Sequence, residues 1–216
     1  MVRDGIFYAL GLGLVAALVY KVTGSTGLAS LPVILALFFL WFFRDPPRRI
    51  PTAPGQIVSP GDGKITEMEW IETPDGARLR LSIFLSVFDV HVNRSPIEGT
   101  VTQVTYKKGA FVNAMRADTN VINEQNTIVI ENEDCLVQVK QIAGLLARRI
   151  ICKVKAGDTL QRGERFGLIK FGSRVDILMP PDVNPMVRRD QRVKGGSTVL
   201  AVLPDKAMSI SEATGA

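Results

Sequence analysis

Three short stretches hold the residue types that acyl or proton-transfer chemistry requires. SPGDGKI places Asp62 between two glycines. FLSVFDVHVNRSPIEG contains His91, the only histidine of the chain. GLIKFGSRVDILMP sets the dipeptide Gly172-Ser173 between two apolar runs. A carboxylate, an imidazole and a hydroxyl are the parts of an orienter, base and nucleophile set. Each also has an ordinary reading: Asp62 as a turn residue, His91 as a satisfied structural histidine, and Gly172-Ser173 as a bulge or tight turn. A single histidine bounds the mechanism, because any step that needs an imidazole has to use His91. The two cysteines, Cys135 and Cys152, make neither a disulfide framework nor a metal pattern, so no metal site is expected. Both lie in alternating apolar stretches and read as reduced strand residues.

These residues must be positioned by strands. From Gln56 onward the apolar period is 2. Leu79, Leu81, Ile83 and Leu85 alternate with their neighbours, as do Ile150, Cys152 and Val154, and Val175, Ile177 and Met179. Further short strands are expected at Gln56–Ser59, Val101–Tyr106, Thr127–Glu131, Leu136–Gln141, Phe166–Phe171 and Val199–Val202. Turn signals at Pro60-Gly61-Asp62-Gly63, Pro74-Asp75-Gly76 and Ala156-Gly157-Asp158 separate them. Only Gln141–Arg149 reads as a short helix. Phe111–Asn126, with four asparagines and no period, reads as a long loop. The fold class is mainly β, an antiparallel sandwich or barrel over residues 56–205, with 206–216 as a tail. No Gly-rich nucleotide loop follows a strand.

The mean hydropathy of +0.17 has a local cause. Two uncharged apolar runs, 5–20 and 28–43, crowd into the first 43 residues, joined by KVTGSTG. They form an N-terminal hydrophobic helical hairpin. A cleaved signal peptide, a twice-crossing hairpin and a shallow re-entrant anchor are the three readings, and the second run makes the first of these the weakest. Residues 44–55, with RDPPRRIPTAP, read as a Pro-rich extended linker. Arg44, Arg48 and Arg49 follow the second run, so the positive-inside bias puts the catalytic part on the cytoplasmic face of the cell membrane. The net charge of +5, with clusters at Arg148-Arg149 and at Arg188, Arg189, Arg192 and Lys194, suits an anionic leaflet. No aromatic-interleaved basic patch points to nucleic acid.

At the chemistry-bearing residues the chain resembles the phosphatidylserine decarboxylase family in its short form. FFRDPPR, SPGDGKI, FLSVFDVHVNRSPIEG, NEQNTIVIE and VKAGDTLQRGERFGLIKFGSRVDILMP resemble successive blocks of that family, in order, over almost the whole chain. VKAGDTLQRGERFG also resembles the glycine-spaced hairpin of lipoyl-type carrier domains, without their tip lysine. The resemblance implies a pyruvoyl-dependent proenzyme that cuts itself between Gly172 and Ser173. Residues 1–172 and 173–216 would stay together as a heterodimer of large and small chains. Ser173 would become a covalent pyruvoyl group, which forms a Schiff base with phosphatidylserine and releases CO₂ to leave phosphatidylethanolamine. His91 would be the base and proton donor, Asp62 its orienting carboxylate, and Arg116 and Arg174 the holders of the lipid phosphate. Many family members carry H-x-x-H where this chain has His91 and Arg94, so His91 is expected to serve both self-cleavage and decarboxylation. Two alternatives are a decarboxylase of another serine-headed lipid, such as an ether-linked one, and a non-catalytic membrane-tethered carrier or adaptor.

Overall fold

The computed structural model describes residues 3–74, 76–112, 122–144, 149–170 and 172–204. The chain forms two compact units. One comprises residues up to Pro47 together with Phe88–Val90, and the other runs over Arg48–Val87 and from His91 onward.

The first unit is a helical hairpin. Helix α1 spans Arg3–Thr23 and α2 spans Thr26–Phe42. α1 outruns its apolar stretch because Asp4 in the first turn and Lys21 in the last suit the helix dipole. Ser25 starts α2: its backbone is extended, and its side-chain oxygen accepts the Leu28 N–H. The helices meet where Gly5 lets Phe43 approach and where Tyr8 packs on Phe39, ring centroids 5.1 Å apart. Elsewhere large apolar side chains point outward, including Phe7, Leu14, Val22, Leu31 and Leu37. A helix pair apolar on its outer faces is built for a non-aqueous surround. α1 is long and apolar enough to cross a bilayer, and α2, at 17 residues, is shorter.

The second unit is antiparallel β throughout its named strand pairs, as the alternation predicts. Its main sheet has eight strands in the order β13-β2-β3-β11-β7-β6-β5-β9. These are β2 (Gly63–Thr73), β3 (Gly76–Leu85), β5 (Gly99–Lys107), β6 (Gln125–Glu131), β7 (Leu136–Ala143), β9 (Thr159–Leu160), β11 (Ser173–Met179) and β13 (Arg192–Val193). Two smaller sheets complete it. One orders β1 (Gln56–Val58), β14 (Val199–Val202) and β12 (Asn184–Pro185); the other orders β4 (Val92–Arg94), β10 (Arg165–Ile169) and β8 (Ile150–Cys152). β8 and β10 pair across the glycine-spaced segment that resembles the lipoyl-type hairpin.

The core lies on one face of the main sheet. Leu81, Ile83, Val139, Val175 and Ile177 are fully buried there, against Phe166 and Leu200 from the smaller sheets. β2 escapes the sequence reading for a physical reason. A bulge between Ile65 and Glu67 shifts the register, so Ile65 and Met68 face the same side three residues apart instead of two. The expected helix over Gln141–Arg149 is corrected at its start. Gln141, Ile142 and Ala143 are the last residues of β7, laddered to β6 on one side and β11 on the other. Residues 145–148, and 113–121 of the expected long loop, lie outside the described residues.

The Pro-rich segment is extended but tied down from Arg48 onward. Arg48 pairs with Asp62 at 2.9 Å, and Arg162 Nη1 donates to the carbonyls of Pro51 and Ala53. Proline-rich backbone has few donors of its own, so its carbonyls are met by a side chain from the sheet.

Candidate active site

β11 delivers Ser173 to the centre of the main sheet. Its first residue ladders to Leu85 of β3 and Ala143 of β7. The side chain shares the core face with Val175, Ile177 and Met179 and is fully buried. Ser173 Oγ nevertheless has no hydrogen-bond partner among the described residues. A buried hydroxyl without a partner costs about 1–3 kcal/mol, so folds rarely leave one without a purpose.

The residue before it is held in an unusual way. Gly172 has φ +62°, a left-handed backbone that an L side chain would strain. Its N–H donates to His91 Nε2 at 3.1 Å. The Nε2 lone pair therefore faces the amide N–H of Gly172, one residue before Ser173, which places the proton of a neutral ring on Nδ1. His91 is 1% exposed, and its own carbonyl accepts from Ile169 at the end of β10. β4 pairs with β10 from Val92 onward. The strand that leads away from His91 and the strand that leads toward Ser173 are thus neighbours. This register brings an imidazole and a hydroxyl 82 positions apart in sequence to one backbone turn.

Three buried amides lie on the same side, and the sequence reading missed them. Gln141 Nε2 donates to Asn93 Oδ1 at 2.8 Å, and Asn126 Nδ2 donates to Gln141 Oε1 at 3.0 Å. Gln141 ladders to Val175, two residues beyond Ser173, and Asn93 is two residues beyond His91. Gly167 makes the room: a Cβ there would sit 2.8 Å from the Gln141 amide nitrogen and 2.5 Å from the Ile151 carbonyl. A signal for this chain was available. Gln141 falls in the apolar phase of Val137 and Val139, and Asn126 in that of Ile128 and Ile130. A polar residue on the buried phase of a strand needs a reason. Asn123 adds a brace, donating to the carbonyl of Ala143, the ladder partner of Ser173.

Two expected residues turn out to be engaged elsewhere. Asp62 does not orient His91 through a hydrogen bond. Its Oδ2 accepts from Arg48, and its Oδ1 accepts from the Gly195 N–H at 2.8 Å. Arg174 does not face a lipid phosphate. Alternation puts it on the face opposite Ser173, where it is 1% exposed. Its Nε and Nη2 bind the Asp176 carboxylate at 2.6 and 3.0 Å, and Nη2 reaches Glu67 at 3.0 Å. A guanidinium saturated by two carboxylates has no fork left for a ligand. The cluster continues through Arg80, which pairs with Glu67 and Glu69. Lys140 ladders to Asp176, and burial pulls its ammonium below the ordinary value of 10.5 while Asp176 opposes the shift. Arg94, at the second histidine position of H-x-x-H, donates from Nη1 to the Gly163 carbonyl at 2.9 Å. Arg116 lies outside the described residues.

Comparison with known proteins gives the family. A family model described as phosphatidylserine decarboxylase matches residues 35–201, which contain every strand named above except the last residue of β14. A phosphatidylserine decarboxylase proenzyme of Solibacter usitatus is 50% identical over 202 residues, covering 93% of this chain and 96% of its own length. Proenzymes of the same name from Cupriavidus metallidurans and Ralstonia pickettii are 43% and 45% identical. They cover 95% and 93% of this chain, and 96% and 94% of their own lengths. By full-length similarity and by the family model alike, the chain belongs to the phosphatidylserine decarboxylase family.

Proposed function

We propose that this chain is the proenzyme of a pyruvoyl-dependent phosphatidylserine decarboxylase, which cuts itself between Gly172 and Ser173. The reading is carried by one observation: a buried hydroxyl, without a partner among the described residues, follows a left-handed glycine whose N–H is held by the only histidine. Glycine leaves its own carbonyl unshielded. Ser173 Oγ bonds to that carbonyl carbon as the amide C–N bond breaks. His91 takes the hydroxyl proton and returns it to the departing nitrogen. The Gly172 carboxylate then leaves Ser173 Cβ as the Cα proton is lost, and water releases ammonia to leave the ketone. Family membership supports this cofactor, and the fit rests on Ser173 being, among the described residues, the one buried hydroxyl without a partner.

The large chain is 1–172 and the small chain 173–216. β11 is hydrogen-bonded on both edges, which supports their staying paired. A pyruvoyl group at position 173 would be held by β11 and would supply an electron sink for the loss of CO₂ from the serine head group. His91 stays beside that end as the group that supplies a proton to the α-carbon. The amide chain from Asn93 to Asn126 fixes the β4 backbone that carries His91. Arg116 is retained as a holder of the lipid phosphate, and Arg174 is not. Asp62 serves by pinning Arg48. The apolar hairpin, followed by Arg44, Arg48 and Arg49, keeps the enzyme on the membrane with its catalytic part on the cytoplasmic face.

Denaturing mass spectrometry of the purified protein tests the reading. Two fragments are expected, divided at Gly172, the smaller without an N-terminal amine. A single intact chain that still releases CO₂ from phosphatidylserine would refute it.

A further inference from the structure

The hairpin unit includes three residues far from it in sequence, Phe88–Val90, and these run directly into His91. Arg44, just past α2, clips them in place. Its Nη2 donates to the Phe88 carbonyl at 2.6 Å and its Nη1 to the Trp41 carbonyl at 3.0 Å. The same guanidinium stacks over the Trp41 ring, 4.1 Å from its centroid. Trp41 and Phe88 meet edge to face at 6.1 Å. The rings stay largely uncovered, Phe88 at 67% and Trp41 at 41% exposed. Two exposed aromatic residues, one stacked on an arginine and the other held by it through a backbone carbonyl, continue the exposed apolar side chains of α2 and have the composition of a bilayer's interfacial zone. Aromatic rings settle there at headgroup level, and arginine reaches the phosphates.

We propose that Trp41, Arg44 and Phe88 form an interfacial clip that seats in the headgroup region of a phospholipid bilayer and holds the His91 segment at that depth. From Phe88 to His91 the chain takes three steps, at most about 11 Å when fully extended. The clip therefore sets how far the His91 backbone can lie from the lipid surface. A lipid that keeps both acyl chains in the membrane is processed only if that distance stays within the reach of its head group. The activity arm of the test rests on the decarboxylase reading, and the fluorescence arm does not.

The full chain is reconstituted in vesicles of phosphatidylcholine and phosphatidylglycerol. Phe88→Trp in a Trp70→Phe background is compared with Trp70→Phe alone, using lipids brominated near the carbonyl end or near the methyl end of the acyl chains. The emission added by position 88 is expected to be quenched more strongly by the carbonyl-end label. Emission from position 88 that neither label quenches overturns the proposal. In the second arm, cleaved Phe88→Ala protein is assayed on vesicle phosphatidylserine and on a short-chain phosphatidylserine dissolved as monomers. The ratio of vesicle to monomer turnover is expected to fall about tenfold, through KM more than kcat. An unchanged ratio overturns the proposal. If the wild-type protein releases CO₂ from neither substrate, the decarboxylase reading fails, and the quenching result still decides the clip.

Discussion

Ser173 and Arg174 are adjacent on β11 and face opposite sides of the same sheet. Both side chains are buried. Ser173 shares its face with Val175 and Ile177, and its hydroxyl has no partner among the described residues. Arg174 lies among Asp176, Glu67 and Arg80, with its guanidinium met by carboxylates on two sides. Burial alone therefore does not separate these two polar groups, whereas hydrogen-bond satisfaction does. A saturated buried charge stiffens the strand, whereas an unsatisfied hydroxyl beside a left-handed glycine holds free energy that a reaction can release.

The contrast can be broken most directly at Ser173. Ser173→Ala is expected to abolish cleavage, leaving one 23.6 kDa chain and no CO₂ release, and two fragments from this variant would show that another residue makes the cut. Next comes Arg174→Met, made in the uncut Ser173→Ala background. It strands the buried Asp176, while Glu67 keeps Arg80, and is expected to cost about 3–5 kcal/mol in urea unfolding. Adding Asp176→Leu to it should recover most of that loss, because the orphaned carboxylate goes too. Gln141→Leu cuts the amide chain between Asn93 and Asn126. It should cost about 1–3 kcal/mol and slow the appearance of the small fragment on gels, since β4 and His91 lose a brace. Asp62→Asn should leave cleavage within about threefold of wild type and cost about 1 kcal/mol through the Arg48 pair, in contrast to a block by His91→Ala. The smallest effect belongs to Lys140. Its folded value lies below 10.5, so between that value and 10.5 the unfolded chain holds more protons and raising the pH favours folding. Lys140→Met should remove that alkaline rise in urea stability.

Much of this architecture was legible in residue order. Alternation over Leu79–Leu85 and Val175–Met179 predicts the two strands that flank and carry the site, and both form. The Gly172-Ser173 dipeptide and the lone histidine were legible as candidates, and the fold joins them through one hydrogen bond. What was not legible has physical causes. β2 hides behind its bulge, and β4, at three residues, is too short to show a period. Arg174 and Asp176 occupy the polar phase of a strand, which normally means solvent, yet here that face is covered and charged. Asp62 has the residue type of an orienter, but only the tertiary path of Arg48 and Gly195 reveals which groups it binds.

β11 lies between two neighbours in the middle of the sheet, while β13 pairs with β2 and β14 with β1. The described residues from Ser173 to Pro204 are therefore woven through the rest of the fold rather than appended to it. A precursor that loses its structure can recover it alone, as one molecule. Once severed, the same structure can be regained only if two separate pieces find each other, so recovery becomes concentration-dependent and competes with clumping of exposed strands. The enzyme would then have one opportunity to assemble, before activation, and its working lifetime would be set by how slowly it opens rather than by how well it refolds.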